Sequence, residues 1–365
     1  MFRRLTVIGT ALMTGASLVA LPVVPAGAQS TSWQVIASGL DSPRGLGFAP
    51  NGTLYVAEAG VGGAGPCIPH PLGQICYGAT GAVTEVKRGH QTRVLTGLPS
   101  FGLQGTDEVF GPSDVGLNGT GNLYVTLGLG DDPGLRSQLP PNGQLAGTLI
   151  RAKAPKGTFK VVADIGAYEL SANPDGGLPD TNPQGLLVTK GGQVVADAGG
   201  NSLLGVRSHG RISTLAVFPT RLVPNPFGGP DIPMQAVPTT VTRGPDGALY
   251  VGQLTGFPFP VGGANVYRIG PGGQPQVAAG GFTNIIDIAF GPDNALYVLE
   301  IAHNGLLSGD PTGALIRVGE NGARTVIASE GLTMPTGLAI RNGNAYVSNC
   351  GVCADVGEVI AIPLH

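Results

Sequence analysis

Apolar residues in this chain recur as pairs of short runs separated by a tight turn. One copy of the pattern spans residues 290–300 (FGPDNALYVLE), and others span 48–58 (FAPNGTLYVAE) and 244–251 (GPDGALYV). In each copy an apolar strand leads into a turn containing Pro with Asn or Gly, and a second apolar strand follows. A two-strand pattern that repeats along a chain predicts a repeat architecture built from hairpins.

The complete repeat is a unit of four strands, and the chain carries six copies of it. The first strands of the copies begin near Pro43, Pro112, Pro183, Pro238, Ile285 and Pro335. The sixth copy lacks its fourth strand, whereas residues 33–40 resemble residues 324–332, which close the fifth copy. We expect the N-terminal strand to pair with the last unit, because this pairing closes the ring and leaves no open edge. The predicted fold is therefore all-β, a six-bladed β-propeller of four-stranded antiparallel blades.

The long insertions occur in only two kinds of connection. Residues 60–80 and 128–146 link second to third strands, and residues 99–111, 166–182 and 219–237 link one unit to the next. In a four-stranded meander both connections emerge on the same side, which we call the loop-decorated face. Functional residues are usually carried by loops on a rigid scaffold, so this face is where we expect a site.

Composition agrees with a strand-and-turn protein. The chain has 365 residues, 62 Gly, 31 Pro and 42% hydrophobic residues, which disfavours long helices and disorder. A net charge of -3 without a basic run argues against nucleic acid as a partner. No stretch beyond residue 28 is long and apolar enough to span a bilayer. We expect a monomer.

The N-terminus has the features of a secretory signal. Arg3 and Arg4 precede an apolar segment over residues 5–24, and residues 26–28 (AGA) form a small-residue cleavage site. The alternative is an uncleaved membrane anchor. We therefore predict a signal peptide over residues 1–28, one propeller domain over 29–365, and a secreted or extracytoplasmic location.

The four cysteines agree with export. Cys67 and Cys76 lie in one loop, and Cys350 and Cys353 lie in another. Two disulfides are expected in an oxidising compartment, and proximity favours pairing within each loop among the three possible arrangements. A zinc site with four thiolates is the alternative, although only one pair has the close C-x-x-C spacing.

Acidic and amide side chains are predicted to surround the mouth of the central channel. Glu58, Asp197, Glu300 and Asn349 end second strands, and Asp114 and Asp287 lie in first strands where other copies have Gly. Such oxygens can hold Ca²⁺ or orient a polar ligand, so these six residues form the candidate binding site. The alternative is that the side chains cap nearby backbone N–H groups.

Other motifs point less clearly to chemistry. Residues 173–182 (NPDGGLPDTN) are rich in oxygen ligands but lack EF-hand spacing, which favours a turn-rich loop over a metal loop. The pair Asp131-Asp132 belongs to the same class. The glycine pattern at 60–65 precedes no helix, which argues against a dinucleotide site. No metalloprotease or serine-hydrolase motif occurs, so no catalytic residue is assigned.

Several longer motifs together resemble the ScyD/ScyE family of exported propeller proteins. They are residues 43–46 (PRGL), 55–60 (YVAEAG), 65–67 with 76–78 (GPC and CYG), 173–176 (NPDG), 196–201 (ADAGGN) and 254–262 (LTGFPFPVG). The resemblance covers essentially all of the mature chain. It implies export and a propeller similar to NHL-repeat proteins, without a defined reaction.

A more distant resemblance is to gluconolactonase/SMP-30-like enzymes. Those enzymes place acidic and amide metal ligands near the start of first strands, where this chain has Arg44, Ser113, Gln184, Thr239, Ile286 and Thr336. None of these is a carboxylate, which argues against their mechanism. We expect a propeller that binds a small molecule or a protein through the loop-decorated face. The alternative is a Ca²⁺-dependent hydrolase or lactonase-like enzyme that uses the channel-mouth carboxylates.

Overall fold

The repeated pattern folds as antiparallel hairpins. Phe290 pairs with Leu296 across the turn. The Gly291 N–H donates to the Ala295 carbonyl at 2.9 Å, and the Asn294 N–H donates to the Gly291 carbonyl at 3.0 Å. Asn294 has a φ of 59°, a left-handed conformation that Asn and Gly adopt most readily. The need for a left-handed conformation at position 294 explains why the turn has Asn there.

Strands account for most of the chain in the computed structural model, which describes residues 33–153 and 157–364. The strands up to residue 164 are β1 (Gln34–Leu40), β2 (Pro43–Phe48), β3 (Leu54–Glu58), β4 (Cys67–His70), β5 (Gly73–Lys87), β6 (His90–Leu103), β7 (Val109–Phe110), β8 (Pro112–Leu117), β9 (Asn122–Leu127), β10 (Thr148–Lys153) and β11 (Phe159–Asp164). The later strands are β12 (Pro183–Thr189), β13 (Gly192–Asp197), β14 (Ser202–Val206), β15 (Ile212–Val217), β16 (Arg221–Val223), β17 (Ile232–Met234), β18 (Pro238–Arg243), β19 (Leu249–Gln253), β20 (Ala264–Ile269), β21 (Pro275–Phe282), β22 (Ile285–Phe290), β23 (Leu296–Glu300), β24 (Ala314–Val318), β25 (Arg324–Ala328), β26 (Gly337–Arg341), β27 (Asn344–Asn349) and β28 (Gly357–Pro363). The helical segments are α1 (Ile165–Ala172) and 3₁₀-helices over Pro133–Gln138, Gly143–Leu145, Ser208–Gly210 and Leu306–Ser308.

These strands form several four-stranded antiparallel sheets, which is consistent with a propeller. Sheet 1 has the order β2-β3-β5-β6-β7, with β4 paired to β5, and sheet 2 contains β8 to β11. Sheets 3, 4 and 5 contain β12 to β15, β18 to β21 and β22 to β25. Sheet 6 has the order β26-β27-β28-β1, so the N-terminal strand pairs with the last strand of the chain.

The first strands of the sheets lie next to one another. In order, β2 contacts β8, β8 contacts β12, β12 contacts β18, β18 contacts β22, β22 contacts β26, and β26 contacts β2. Side-chain hydroxyls join some of these neighbours: Thr239 Oγ1 donates to the Ile285 carbonyl at 2.9 Å, and Thr336 Oγ1 donates to the Pro43 carbonyl at 2.6 Å. This arrangement brings residues from all six first strands to one central region.

The apolar core lies in layers between neighbouring sheets. Sheets 1 and 2 bury Ala57 and Val125 in a shared cluster, and sheets 5 and 6 bury Leu299 and Val347 in another. The repeated tyrosines pack in these layers, as expected for scaffold residues. Tyr55, Tyr124 and Tyr297 are buried, and Tyr250 and Tyr346 are partly buried.

The cysteines are paired within their loops. Cys67 and Cys76 lie at disulfide distance across the β4–β5 hairpin, and Cys350 and Cys353 lie at disulfide distance after β27. Two such pairs indicate an extracytoplasmic protein, because the cytosol keeps most thiols reduced.

The predicted signal peptide, residues 1–28, lies outside the described residues. Within the described ranges, no helix has both the length and the apolar character needed to cross a membrane.

Candidate functional site

Four of the six predicted site residues share one structural role. Each ends the second strand of its sheet, and its side-chain oxygen accepts a backbone N–H from the segment that enters the first strand of the same sheet. The pairs are Asp41 N–H with Glu58 (2.8 Å), Asn182 N–H with Asp197 (2.6 Å), Thr283 N–H with Glu300 (2.7 Å) and Thr333 N–H with Asn349 (2.8 Å). These bonds hold the connections of the loop-decorated face against the sheets.

Glu58 is also neutralised within the chain. Its carboxylate is fully buried and contacts Arg93 at 2.6 Å, and Arg93 also reaches Asp41 at 2.8 Å. Thr84 Oγ1 donates to the same carboxylate. The charge and the acceptor sites of Glu58 are therefore largely used by sheet 1 itself.

Glu300 lies beside a histidine. Its carboxylate accepts the Thr283 N–H and contacts His303 Nδ1, and its side chain is 2% exposed whereas that of His303 is 41% exposed. Burial raises the pKa of Glu300, and the bond to His303 opposes this increase. Glu300 and His303 are thus a coupled pair at the end of β23.

Asp114 and Asp287 lie within the first strands β8 and β22, whereas the other four residues lie at the ends of second strands. Asp114 accepts the backbone N–H of Val115 (2.7 Å) and of Leu186 in the next sheet (2.8 Å). Asp287 accepts the N–H of Leu338 in the next sheet (2.7 Å) and the hydroxyl of Thr240 in the preceding sheet (2.6 Å). Each aspartate therefore connects neighbouring sheets.

The two aspartates also influence each other. Burial raises the pKa of Asp114 well above its usual range, and the negative charge of Asp287 raises it further. Burial raises the pKa of Asp287 to about 6 against the opposing effect of its hydrogen bonds. The two carboxylates are partly buried in the first strands, and their like charges disfavour simultaneous ionisation.

A cavity of about 240 Å³, which we call the axial pocket, opens among the loops of the same face. Its polar lining is contributed by first strands and the segments that enter them. Its other walls are apolar. The lining residues are Arg44, Glu108, Val109, Phe110, Ser113, Asn182, Gln184, Ala198, Val237, Thr239, Leu254, Ile286, Ile301, Leu306 and Met334.

The axial pocket and the predicted site are different sets of residues. The lining includes none of the six predicted residues Glu58, Asp114, Asp197, Asp287, Glu300 and Asn349. Two lining residues are close to them: the Asn182 N–H donates to Asp197, and Ile301 follows Glu300 in the chain. Instead the lining includes five of the six positions compared above with SMP-30-like metal ligands. Those five are Arg44, Ser113, Gln184, Thr239 and Ile286.

Arg44 is the cationic residue of this pocket. Arg44 is only 7% exposed, and one of its guanidinium nitrogens donates to the Val109 carbonyl at 2.7 Å. Among the described residues no carboxylate lies within 4.0 Å of it. Burial lowers the pKa of Arg44, and the negative charge of Glu108 at the rim opposes this change. A guanidinium has five N–H donors, so most of its bonding capacity is directed at no protein acceptor.

The chemistry of the axial pocket favours binding of an anion over binding of a metal ion. A divalent cation would be repelled by Arg44, and Glu108 is the one carboxylate among the described lining residues. Across the described ranges, no group of three or more His, Cys, Asp or Glu side chains is already spaced to hold a metal ion. We therefore derive no metal-dependent step in this pocket.

The sequence contains one signal for Arg44. An arginine follows Pro43 at the start of β2, a strand that is otherwise apolar and glycine-containing. The comparison of this position with metal ligands did not fit, because the side chain of Arg44 is itself a cation. The burial of Arg44 depends on the loop that carries Val109, which is distant along the chain.

Comparison with known structures shows the fold. The chain is similar to a structural-genomics protein of unknown function from Bacteroides thetaiotaomicron, with a TM-score of 0.55 and 10% identity over 91% of this chain and 72% of that chain. It is also similar to a gluconolactonase from Xanthomonas campestris, with a TM-score of 0.52 and 10% identity over 90% of this chain and 88% of that chain. No family model and no curated protein matches the sequence. At these identities the likeness extends to the fold alone.

Proposed function

We propose that this chain is an exported six-bladed β-propeller that binds a small apolar carboxylate in its axial pocket. The observation that carries the proposal is Arg44, a buried guanidinium with one recorded protein acceptor and no carboxylate in contact. Buried charges are normally paired, because an unpaired charge loses its hydration without compensation. A ligand carboxylate supplies both the opposite charge and a bidentate acceptor for the guanidinium.

The other lining residues and the volume of the pocket indicate the polarity and size of the rest of the ligand. Ile286, Ile301, Leu254, Leu306 and Met334 line the pocket with apolar surface. Polar contacts come from Ser113, Asn182, Gln184 and Thr239. The volume of about 240 Å³ lies below the roughly 300–1,000 Å³ typical of sites for drug-sized ligands. The ligand class is therefore a small molecule with a carboxylate at one end and an apolar body.

The six-bladed, closed arrangement is part of the proposal. Six sheets carry four or more strands each, their first strands contact one another in sequence, and β26 also contacts β2. The β1–β28 pairing places the N-terminal strand at the outside of sheet 6, where it supplies the fourth strand. Together these contacts favour a ring that is closed by the two ends of the chain.

Membership of the ScyD/ScyE type remains part of the same proposal. It is supported by the sequence motifs and by the position of three of them on the loop-decorated face. The motif at 43–46 contains Arg44, the motif at 196–201 contains Ala198 of the pocket wall, and the motif at 254–262 contains Leu254. The metal-dependent hydrolase alternative has the fold likeness to a gluconolactonase in its favour.

Titration with matched acids and amides tests the proposal. The probes are benzoate, cyclohexanecarboxylate and hexanoate, each compared with its neutral amide by calorimetry on residues 29–365. We expect at least one acid to bind while its amide does not. Arg44→Gln should weaken that binding by about 10- to 100-fold, the value of hydrogen bonds to a charged group.

Two further variants keep the test specific. Arg44→Lys retains the charge without the planar fork and should recover only part of the affinity. Arg243→Gln removes an exposed arginine from the end of β18 and should bind the acid as the native chain does. Equal binding of acid and amide, or failure of all three acids to bind the native protein, would overturn the carboxylate assignment.

A further inference from the structure

A second group of carboxylates lies where the loop after α1 meets the end of β13. We call it the acidic cluster. Its members come from three parts of the chain, and they are Asp131, then Glu169, Asp175 and Asp180 of α1 and the loop after it, and Asp197 at the end of β13. An isolated bridge between Asp131 and Thr181 and a bond from Asn201 to Asp175 (2.9 Å) join these segments.

Three oxygens of the cluster surround one glycine. A Cβ placed on Gly200 would lie 2.9 Å from Glu169 Oε2, 3.3 Å from Asp197 Oδ2 and 3.4 Å from the Asp180 carbonyl oxygen. A side chain at this position would occupy the space between the two carboxylates. Carboxylate and carbonyl oxygens are the ligands that Ca²⁺ takes in proteins.

An independent observation concerns hydrogen bonds that are not made. Glu169 is 1% exposed, yet its Oε1 has no hydrogen-bond partner, although its Oε2 is directed at Gly200 beside Asp197. In the described ranges seven buried side-chain atoms have no partner, and four of them are oxygens of this region: Asp131 Oδ2, Glu169 Oε1, Asn173 Oδ1 and Asp180 Oδ1. Leaving such acceptors unpaired destabilises the folded chain, and a bound cation would remove this cost.

The electrostatics of the region agree with this geometry. Burial, followed by repulsion from the neighbouring carboxylates, raises the pKa of Glu169 and of Asp180 to about 7. Burial also raises the pKa of Asp197 to about 6. Burial raises the pKa of Asp131 as well. A bound cation would offset both the repulsion among these carboxylates and the hydration that they lose on burial.

We propose that the acidic cluster binds a divalent cation of the Ca²⁺ type, with Glu169, Asp180 and Asp197 as its carboxylate ligands. The side chains are not already at metal-ligand spacing. Bringing Glu169 Oε1 and Asp180 Oδ1 to the ion breaks no existing hydrogen bond of those atoms. The ion would join α1, the following loop and the end of β13 into one rigid unit.

The cation would also order part of the axial pocket. Asp197 accepts the N–H of Asn182, and both Asn182 and Ala198 line that pocket. The inference does not rest on the proposed ligand, however, because none of the three carboxylate ligands belongs to the pocket wall.

The test is calorimetric titration of CaCl₂, and of MgCl₂ for comparison, into EDTA-treated residues 29–365 at pH 7.5, followed by thermal melting. We expect Ca²⁺ to bind with a Kd of about 1 mM or tighter, as in extracellular modules, and to raise Tm. Glu169→Gln and Asp180→Asn should each weaken Ca²⁺ binding about tenfold or more, because affinity follows the number of charged ligands. Asp180 is less buried than Glu169, so its variant serves if Glu169→Gln does not fold.

Controls assign the ion to this cluster. Asp231→Asn, at an exposed aspartate between β16 and β17, should bind Ca²⁺ as the native chain does. No Ca²⁺ binding up to 10 mM, a level about tenfold above the expected Kd, would overturn the proposal. Binding that survives both cluster variants but is lost in Glu300→Gln would place the ion at the predicted channel mouth and would equally overturn it. Failure here leaves the acid–amide comparison for the axial pocket unaffected.

Discussion

Glu58 and Arg44 are both buried charged residues, but only Glu58 has an opposite charge in contact within the chain. Glu58 is paired with Arg93 at 2.6 Å and also accepts the Asp41 N–H. Arg44 donates to one backbone carbonyl and lines a cavity. The difference matters because truncating one partner of a buried pair mainly reports stability, whereas a buried charge with no opposite charge in contact is a candidate for ligand binding.

Asp287 provides a pH-dependent prediction at the residue scale. Because the pKa of Asp287 is raised to about 6 from 3.8, the folded chain holds this proton more tightly than the unfolded chain. Its contribution to stability is therefore present below about pH 4 and is lost as pH rises through about 6. Asp287→Asn should remove up to about 1.4 kcal/mol per pH unit from the slope of unfolding free energy in this window.

Urea unfolding at several pH values measures that slope. The exposed Asp231→Asn variant should keep the slope of the native chain. An unchanged slope in Asp287→Asn would show that the carboxylate titrates alike in both states. Because Asp287 also raises the pKa of Asp114, part of the effect should come from Asp114 titrating at lower pH.

At the scale of elements, side chains at the ends of the second strands accept backbone N–H groups of the loops that lead into the first strands. This contact explains why a polar residue follows apolar strands β3, β13, β23 and β27 at the same position. Alignment of the repeats predicted the shared position of these side chains. It left open whether they face a ligand or the backbone, since both roles need the same oxygen atoms.

The N-terminal strand β1 supplies a prediction at the same scale. Leu40 is 1% exposed and packs in the apolar layer that contains Leu46, Val56 and Val359. Leu40→Ala should lower the free energy of unfolding by about 2–5 kcal/mol, because it removes buried contacts and leaves a cavity. Denaturant unfolding measures this loss.

Val35→Ala in the same strand is the matched control. Val35 is 47% exposed, so its truncation should change stability by no more than about 0.5 kcal/mol. Similar small effects for both variants would mean that β1 does not belong to the cooperatively folded unit.

At the scale of the whole molecule, apolar layers join each sheet to the next. The layer between sheets 6 and 1 includes residues of β1, such as Ala37, beside Val359 and Leu54. The two ends of the described chain therefore share a core with its first complete sheet. A fold of this kind gains stability when its last layer forms, because neither flanking sheet then exposes an apolar face.

Deletion of β1 tests this at the molecular scale. A chain that starts at Asp41 should melt at a lower temperature and self-associate, because β28 becomes an open edge and the layer beside it is exposed. A chain that starts at Trp33 should remain monomeric with the native melting curve. Light scattering and circular dichroism measure both properties, and identical behaviour of the two chains would contradict closure by β1.

The repeating hairpins, their turns and the positions of the long loops were determined by the sequence itself. Alternating apolar residues and turn residues such as Asn294 act over a few neighbours, so their effect can be read locally. The cysteine pairs are also close along the chain and lie at disulfide distance as expected. The six candidate channel-mouth residues lie at strand ends or in first strands, and their contacts with backbone N–H groups correspond to the alternative that the sequence left open.

Only the tertiary structure decided which polar groups have partners. Arg44 donates to Val109 of β7, which is 65 residues further along the chain, and Glu169 and Asp197 both reach the space beside Gly200. Whether a charge is paired depends on distances between residues that are far apart in sequence, and on how much water the intervening packing excludes. For that reason the sequence predicts a site on the loop-decorated face without its contacts, whereas the axial pocket and the acidic cluster are formed by contacts between residues that are far apart along the chain.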